Sequence, residues 1–184
     1  MEALNTDFHY HLVEKARSND RKAQFELYQL YSKAMLNVSC RIVNDLAEAE
    51  DVLQESFVAA FKNLEKYRGD STFGSWLKRI VVNNSINVLR KKKMEFDDLE
   101  GADIKEPDDD KDIDLGIGVD QIKSGIECLP DGFRTVLSLY LIDGYDHREI
   151  GGILNISEST SKSQYNRAKK KLRTILKEKY SYER

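Results

Sequence analysis

Two blocks of this chain mix cations with side chains that can hydrogen-bond a nucleobase. "KRIVVNNSINVLRKKK" holds six Lys/Arg and no acid between Lys78 and Lys93. "KSQYNRAKKKLR" again holds six and no acid between Lys162 and Arg173. Lys and Arg neutralise phosphate, while Asn and Ser supply the donors and acceptors that base edges match. Trp76 adds an aromatic face close to Arg79 and Asn83, and unpaired bases are gripped by stacking together with hydrogen bonds. A single basic run is usually a solvated face. Two uncompensated runs interleaved with Asn, Ser, Tyr and Trp point to nucleic acid.

The net charge of −3 conceals this basic character. Residues 95–114, "EFDDLEGADIKEPDDDKDID", hold eleven Asp/Glu against two Lys, a local charge of −9, which leaves +6 on the rest. Such a segment buries too little apolar surface to offset its ordering entropy, so it reads as a flexible acidic linker over 94–116. The expectation is two small helical domains, 1–93 and 117–184. Asp108, Asp109 and Asp110 are carboxylates without the preorganised oxygen cage that a metal needs.

With 40% hydrophobic and 33% charged residues and two prolines in 184 positions, the chain suits a mostly helical fold. No apolar run approaches the ~20 residues of a membrane span, and "MEALNTDFHYHLVEKA" has neither the basic start nor the apolar core of a signal peptide. Cys40 and Cys128 are far apart and have no CxxC partner, which fits buried free thiols in a reducing cytosol. The composition calls for no cofactor and no structural zinc.

The elements that must carry the second basic block are legible. "DGFRTVLSLYLIDG" predicts a helix with Phe133, Val136, Leu137, Tyr140 and Leu141 on its core face, ending near Gly144. Asp146 with Glu149 three residues on resembles a capping box for the next helix, whose Ile150, Ile153 and Leu154 face inward. Asn155 suits a left-handed stop and Ser157 a new N-cap, for a helix running to about Tyr180. Helix, tight turn and helix make a helix-turn-helix, in which Gly151 meets the close crossing. Gly152 finds no role beyond tolerance on the exposed side. On the last helix Tyr165, Ala168, Leu172, Ile175 and Leu176 share one side. Ser159, Ser163, Asn166 and Lys170 lie opposite, flanked by Lys162 and Arg167.

The first block follows two further patterns. "DLAEAEDVLQESFVAAFKNL" splits into a core side of Leu53, Phe57, Ala60, Phe61 and Leu64 and an acidic side of Asp51, Gln54 and Glu55 with Val58 exposed among them. The turn "RGDST" then precedes a helix from Phe73, with Phe73, Leu77, Ile80 and Val81 inward and Arg79, Asn83 and Arg90 outward, Asn87 nearby. Trp76 either stacks on a base or props the loop.

"AEAEDVLQESFVAAF", "YRGDSTFGSWLKRIVVN", an acidic linker and "EIGGILNISESTSKSQYNRAKKKL", in that order, resemble a bacterial sigma-70 family sigma factor of the extracytoplasmic-function (ECF) group. The resemblance spans about Asp20 to Lys177 and implies an all-α fold of sigma-2 and sigma-4 domains joined by a flexible linker. It implies promoter-specific transcription initiation in the cytoplasm, without membrane insertion. The implied partners are core RNA polymerase, promoter DNA and an anti-sigma factor. By position, Asp51, Gln54, Glu55 and Val58 correspond to the polymerase-docking helix. Tyr67, Arg68, Ser71, Thr72 and Phe73 correspond to the loop that captures a flipped −10 base, with Trp76, Arg79, Asn83, Asn87 and Arg90 on the helix that follows. Ser159, Lys162, Ser163, Asn166, Arg167 and Lys170 correspond to the −35 reader. Three positions depart from the family: Ser161 stands where Val is usual, Asn87 where Asp is common, and Gln164 where a common Arg would contact phosphate.

Two other classes compete. A stand-alone helix-turn-helix regulator would leave residues 45–90 unexplained. A metal-dependent nuclease finds no HExxH, phosphate loop or nucleophile motif to build on.

Overall fold

A computed structural model describes residues 9–92 and 118–180. The acidic linker expected at 94–116 and its metal alternative at 108–110 lie outside these residues. Among the described residues every regular element is a helix. The chain divides into two compact units between Lys92 and Lys93.

The first unit holds α1 (Tyr10–Arg17), α2 (Arg21–Val43), α3 (Leu46–Lys62), a 3₁₀ turn (Leu64–Lys66) and α4 (Phe73–Lys91). Side-chain oxygens at three N-caps accept from otherwise orphaned backbone N–H groups: Asp20 from Lys22 (2.8 Å), Asp45 from Glu48 (2.9 Å) and Thr72 from Ser75 (3.2 Å). The α2–α3 corner is turned by Asn44 in the left-handed region, φ 57°. Leu27, Ile42, Phe57, Leu77, Val81 and Leu89 fill the core shared by α2, α3 and α4. Where α2 and α4 pack, Ser39 and Ser85 are both buried with hydroxyls 3.1 Å apart, and Ser85 donates back to the Val81 carbonyl at 2.8 Å. Phe61, expected in the core, is only half-buried.

The second unit holds α5 (Val119–Glu127), α6 (Asp131–Leu141), α7 (His147–Leu154) and α8 (Glu158–Tyr180). Its core joins Ile126, Leu129, Phe133, Leu137 and Ala168, with Tyr165, Leu172 and Ile175 packed at the margin. The structure corrects the expected face of α6. Every residue from Gly132 to Leu139 is buried, so this stretch of the helix is enclosed on all sides and its polar members go inside. Arg134 is buried with its Nη1 donating to the Leu129 carbonyl (3.0 Å) and Nη2 paired to Asp131. Tyr140 and Leu141, both assigned to the core face, are 37% and 56% exposed, and Leu139 is the buried residue in that turn. The thiols are corrected too: Cys128 is exposed at the end of α5, and Cys40 is half-buried. Burial, and then the Glu50 carboxylate, push the Cys40 thiol pKa up.

Candidate nucleic-acid and protein interfaces

On α3 the apolar positions Val52, Leu53, Phe57 and Ala60 take the core side. Asp51, Gln54, Glu55 and Val58 recur at i, i+3, i+4 and i+7, and all four are exposed. Val58 is 52% exposed within this acidic face. Lys92 at the end of α4 pairs with Glu48 at 2.6 Å, one turn before the patch, and ties α4 to α3. A partner that covers Val58 would remove it from water.

The loop between the 3₁₀ turn and α4 is built from the core outward. Arg68, Gly69, Asp70, Ser71 and Thr72 are all exposed. Tyr67 and Phe73, which flank them, are 3% and 0% exposed, so neither ring offers a face to a base. They form the floor of the loop: the Tyr67 hydroxyl donates to the Ser71 carbonyl at 2.7 Å, bracing the loop's two ends. Trp76 is half-buried, its ring 5.5 Å from that of Tyr67 and 5.9 Å from that of Phe73. Gly69 has φ 78°, and a Cβ there would meet no atom within 4 Å, so the loop has open space beside its backbone. Beyond Trp76, Arg79, Asn83, Asn87 and Arg90 are exposed at i, i+4, i+8 and i+11, a single stripe running from the loop along α4.

In the second unit the turn between α7 and α8 has the expected caps. Asp146 accepts from the Glu149 N–H (2.8 Å) and Glu149 accepts from the Asp146 N–H (2.9 Å). Asn155 sits at φ 61°, and Ser157 accepts from the Thr160 N–H at 2.9 Å. A Cβ on Gly151 would lie 2.8 Å from the Ile156 carbonyl oxygen, and that same residue's N–H donates to the Gly151 carbonyl at 3.0 Å. The glycine is therefore required by the backbone of the turn folding back on α7. Gly152 faces open space, with nothing within 4 Å of its Cβ position.

α8 presents Ser159, Lys162, Ser163 and Asn166 exposed and Arg167 and Lys170 half-buried. Lys162 is paired with Glu158 one turn earlier at 2.6 Å, which raises the Lys162 pKa and lowers that of Glu158. Lys169 lies 4.8 Å from the Tyr165 ring centre, a cation–π contact beside the stripe. Two of the family departures point inward. Gln164 is 3% exposed and faces the core, so it is not placed for the phosphate contact expected of an Arg there. Ser161 is fully buried, and its hydroxyl is 3.0 Å from His147 Nδ1. His147 stacks on Tyr140 (4.3 Å, 10°) and meets Tyr165 edge-on at 5.5 Å. One imidazole thus joins α6, α7 and the start of α8. Burial, and then Lys162, hold its pKa below the usual 6.5. Burial, and then Tyr140, raise the pKa of Tyr165. His147 escapes sequence reading because its partner is fourteen positions away, and a hydrogen-bonding serine in place of an apolar residue is the one local sign of it.

The profile of Sigma-70 region 2 matches residues 27–95, and that of Sigma-70 region 4 matches residues 120–172. The chain is 31% identical over 180 residues to the ECF RNA polymerase sigma factor SigW of Bacillus subtilis, covering 90% of this chain and 95% of that protein. It is 32% identical over 183 residues to the RNA polymerase sigma-H factor of Pseudomonas aeruginosa, covering 91% and 95%. Among solved structures it is similar in fold to the sigma factor RpoE of Bartonella quintana in complex with the anti-sigma factor NepR. That match has a TM-score of 0.56 at 21% identity, over 83% of this chain and 95% of that one. It is also similar to CnrH in complex with the cytosolic domain of CnrY, with a TM-score of 0.53 at 22% identity, over 90% and 94%.

Proposed function

Because the chain belongs to the ECF group of sigma-70 family RNA polymerase sigma factors, we propose that its three exposed faces divide the work of initiation. The acidic face of α3, with Asp51, Gln54 and Glu55 around Val58, docks on core RNA polymerase. The 68–72 loop and the α4 stripe open and read the −10 element. The outward stripe of α8 reads the −35 element in duplex DNA. The observation that carries this division is the contrast in mounting: an open loop over an aromatic floor in one unit, and a capped helix with a small-polar and basic face in the other.

The chemistry follows from the side chains. No ATPase motif is present in the sequence, so strand opening draws on binding energy. Extruding a base costs a few kcal/mol, and stacking one returns about 1–3 kcal/mol. Capture therefore needs hydrogen bonds as well. Backbone groups around Gly69, the hydroxyls of Ser71 and Thr72, and Asn83 supply them. Arg79 and Arg90 hold phosphates, and Asn87 lies on the same stripe. Tyr67 and Phe73 support the loop from the core side, and Trp76 carries that support to the edge where a base arrives. On α8, Ser163 and Asn166 contact base edges, Lys162, Arg167 and Lys170 contact phosphates, and Ser159 lies at the entry to the groove. For Lys162 this means exchanging Glu158 for a phosphate.

The linker at 94–116, with its −9 over 95–114, is repelled by DNA and suited to a basic channel of the polymerase. The factor works in the cytoplasm, where polymerase is, and no helix among the described residues is long and apolar enough to cross a membrane. An anti-sigma factor is the further partner, as NepR is for RpoE in the similar structure. A stand-alone regulator is not favoured, since the region 2 match accounts for the part that reading leaves idle. The test is reconstitution with core polymerase and run-off transcription from promoters mapped after overexpression. Stable co-purification and promoter-dependent transcripts are expected. Binding to promoter duplex without association with core would support the stand-alone regulator instead.

A further inference from the structure

We infer that Arg17, held by Glu14, is a positioning residue for the −10 capture loop; this rests on the −10 reading of that loop. Arg17 ends α1 and precedes the segment matched to Sigma-70 region 2, 27–95. Its Nη2 donates to the Tyr67 carbonyl at 2.8 Å, fifty positions along the chain. Its Nη1 donates to Glu14 Oε1 at 2.6 Å, so a carboxylate one turn earlier fixes the guanidinium plane. The mount is rigid. Val13 and Ala16 of α1 are 0% and 1% exposed, and Gln24 of α2 donates to the Ala16 carbonyl at 3.3 Å, joining α1 to α2.

Tyr67 is the residue through which this grip reaches the loop. Its N–H is bound to the Leu64 carbonyl at 3.1 Å, its carbonyl to Arg17, and its hydroxyl to the Ser71 carbonyl at 2.7 Å. Its ring carries Trp76 at 5.5 Å. The exposed residues Arg68 to Thr72 contain a glycine at φ 78° and so have little stiffness of their own. Fixing the entrance carbonyl through Arg17 and the Ser71 carbonyl through the buried Tyr67 side chain sets where the intervening backbone groups sit. Preorganised groups capture a base without first being ordered. A charge-assisted hydrogen bond to a backbone carbonyl is strong enough for its loss to be felt at the loop.

The experiment uses holoenzyme formed with core polymerase. The probe is a promoter mapped from transcripts after overexpression, carrying 2-aminopurine in the non-template −10 strand. Arg17→Gln should reduce unstacking of the probe about tenfold, with affinity for core and for −35 duplex unchanged within about twofold. Arg17→Lys, which keeps the charge and one donor, should recover part of the loss. In free protein Arg17→Gln should make Trp76, the sole tryptophan, more accessible to a collisional quencher. Glu14→Gln keeps the guanidinium but releases it, and should show a smaller defect of about threefold. Should Arg17→Gln fail to fold, the Glu14→Gln result decides. Wild-type opening by Arg17→Gln or Glu14→Gln, beside impaired opening by Asn83→Ala, would overturn the positioning role and leave the −10 reading standing. Wild-type opening by Asn83→Ala as well would remove the −10 reading itself. A fall in core affinity and melting temperature in step with the opening defect would reduce Arg17 to a fold stabiliser and overturn the proposal.

Discussion

The loop at 68–72 and the outward stripe of α8 offer similar atoms in different mountings. Both combine amide or hydroxyl groups with Arg or Lys. On α8 these groups stand on a capped helix, joined to α7 by a turn with room for nothing larger than glycine at 151. Around the loop they stand beside open space, over a floor of buried Tyr67 and Phe73. A helix of fixed spacing can match the edges of a stack that is already ordered. A braced loop with room beside it suits a base that has left its stack. In the proposed division of work, this difference lets one small chain meet DNA both as duplex and as separated strand.

The largest effect should come from the face that touches neither. Glu55→Lys reverses a charge beside Val58 and should weaken association with core polymerase by about 2 kcal/mol or more if the contact is desolvated, while −35 duplex binding stays as it was. Unchanged core affinity in an equilibrium titration would remove α3 from the docking role.

The mounting of α8 comes next. Gly151→Ala drives a methyl group against the Ile156 carbonyl at 2.8 Å, and should destabilise the protein by about 2 kcal/mol in denaturant titration. Gly152→Ala meets nothing within 4 Å, and should stabilise it by up to about 1 kcal/mol. Equal effects from the two substitutions would contradict the account of the turn.

Within the α8 stripe, Asn166→Ala should relax −35 sequence preference by about 1–3 kcal/mol. Lys170→Ala should weaken all sequences alike and lower the salt slope by about one ion. If both variants change only overall affinity, measured by competition among −35 duplex sequences, the base-reading face lies elsewhere.

The smallest effect belongs to His147. Burial among Tyr140, Tyr165 and Ser161, and the nearby Lys162, lower its pKa from 6.5. A depressed folded pKa means that the stabilisation is complete above the unfolded value and is lost as pH falls through it towards the folded value. The melting temperature should therefore decline below about pH 6.5, with a flatter decline in His147→Phe, which keeps the stack and does not titrate. Parallel curves for the two proteins would show that His147 contributes nothing to the slope.

Much of this architecture is legible because its signals are local. Asp146 with Glu149, Asn155 and Ser157 fall within a dozen residues, and each acts on the backbone next to it. The two-sided pattern of α3 likewise needs only a helical wheel. What escapes is decided by distant neighbours. Leu141 looks like core and is exposed, while Arg134 and Ser138 look like surface and are buried, because burial runs all round α6 from Gly132 to Leu139. Tyr67 shares a motif with exposed loop residues yet faces the core. Gln164 stands where the family pattern has a phosphate-contacting Arg, and lies inside. Arg17 carries no sign of its contact with Tyr67, because that pairing exists only after α1 has packed.

The claim that the first unit captures an unpaired base is tested most directly by Asn83→Ala, assayed with duplex and pre-melted −10 promoters. Core binding and −35 duplex binding should match wild type, while open-complex formation and preference for the non-template −10 strand should fall. Pre-melting should restore part of the opening defect and none of the lost preference. Opening and selection of promoters at wild-type levels by Asn83→Ala would contradict the account.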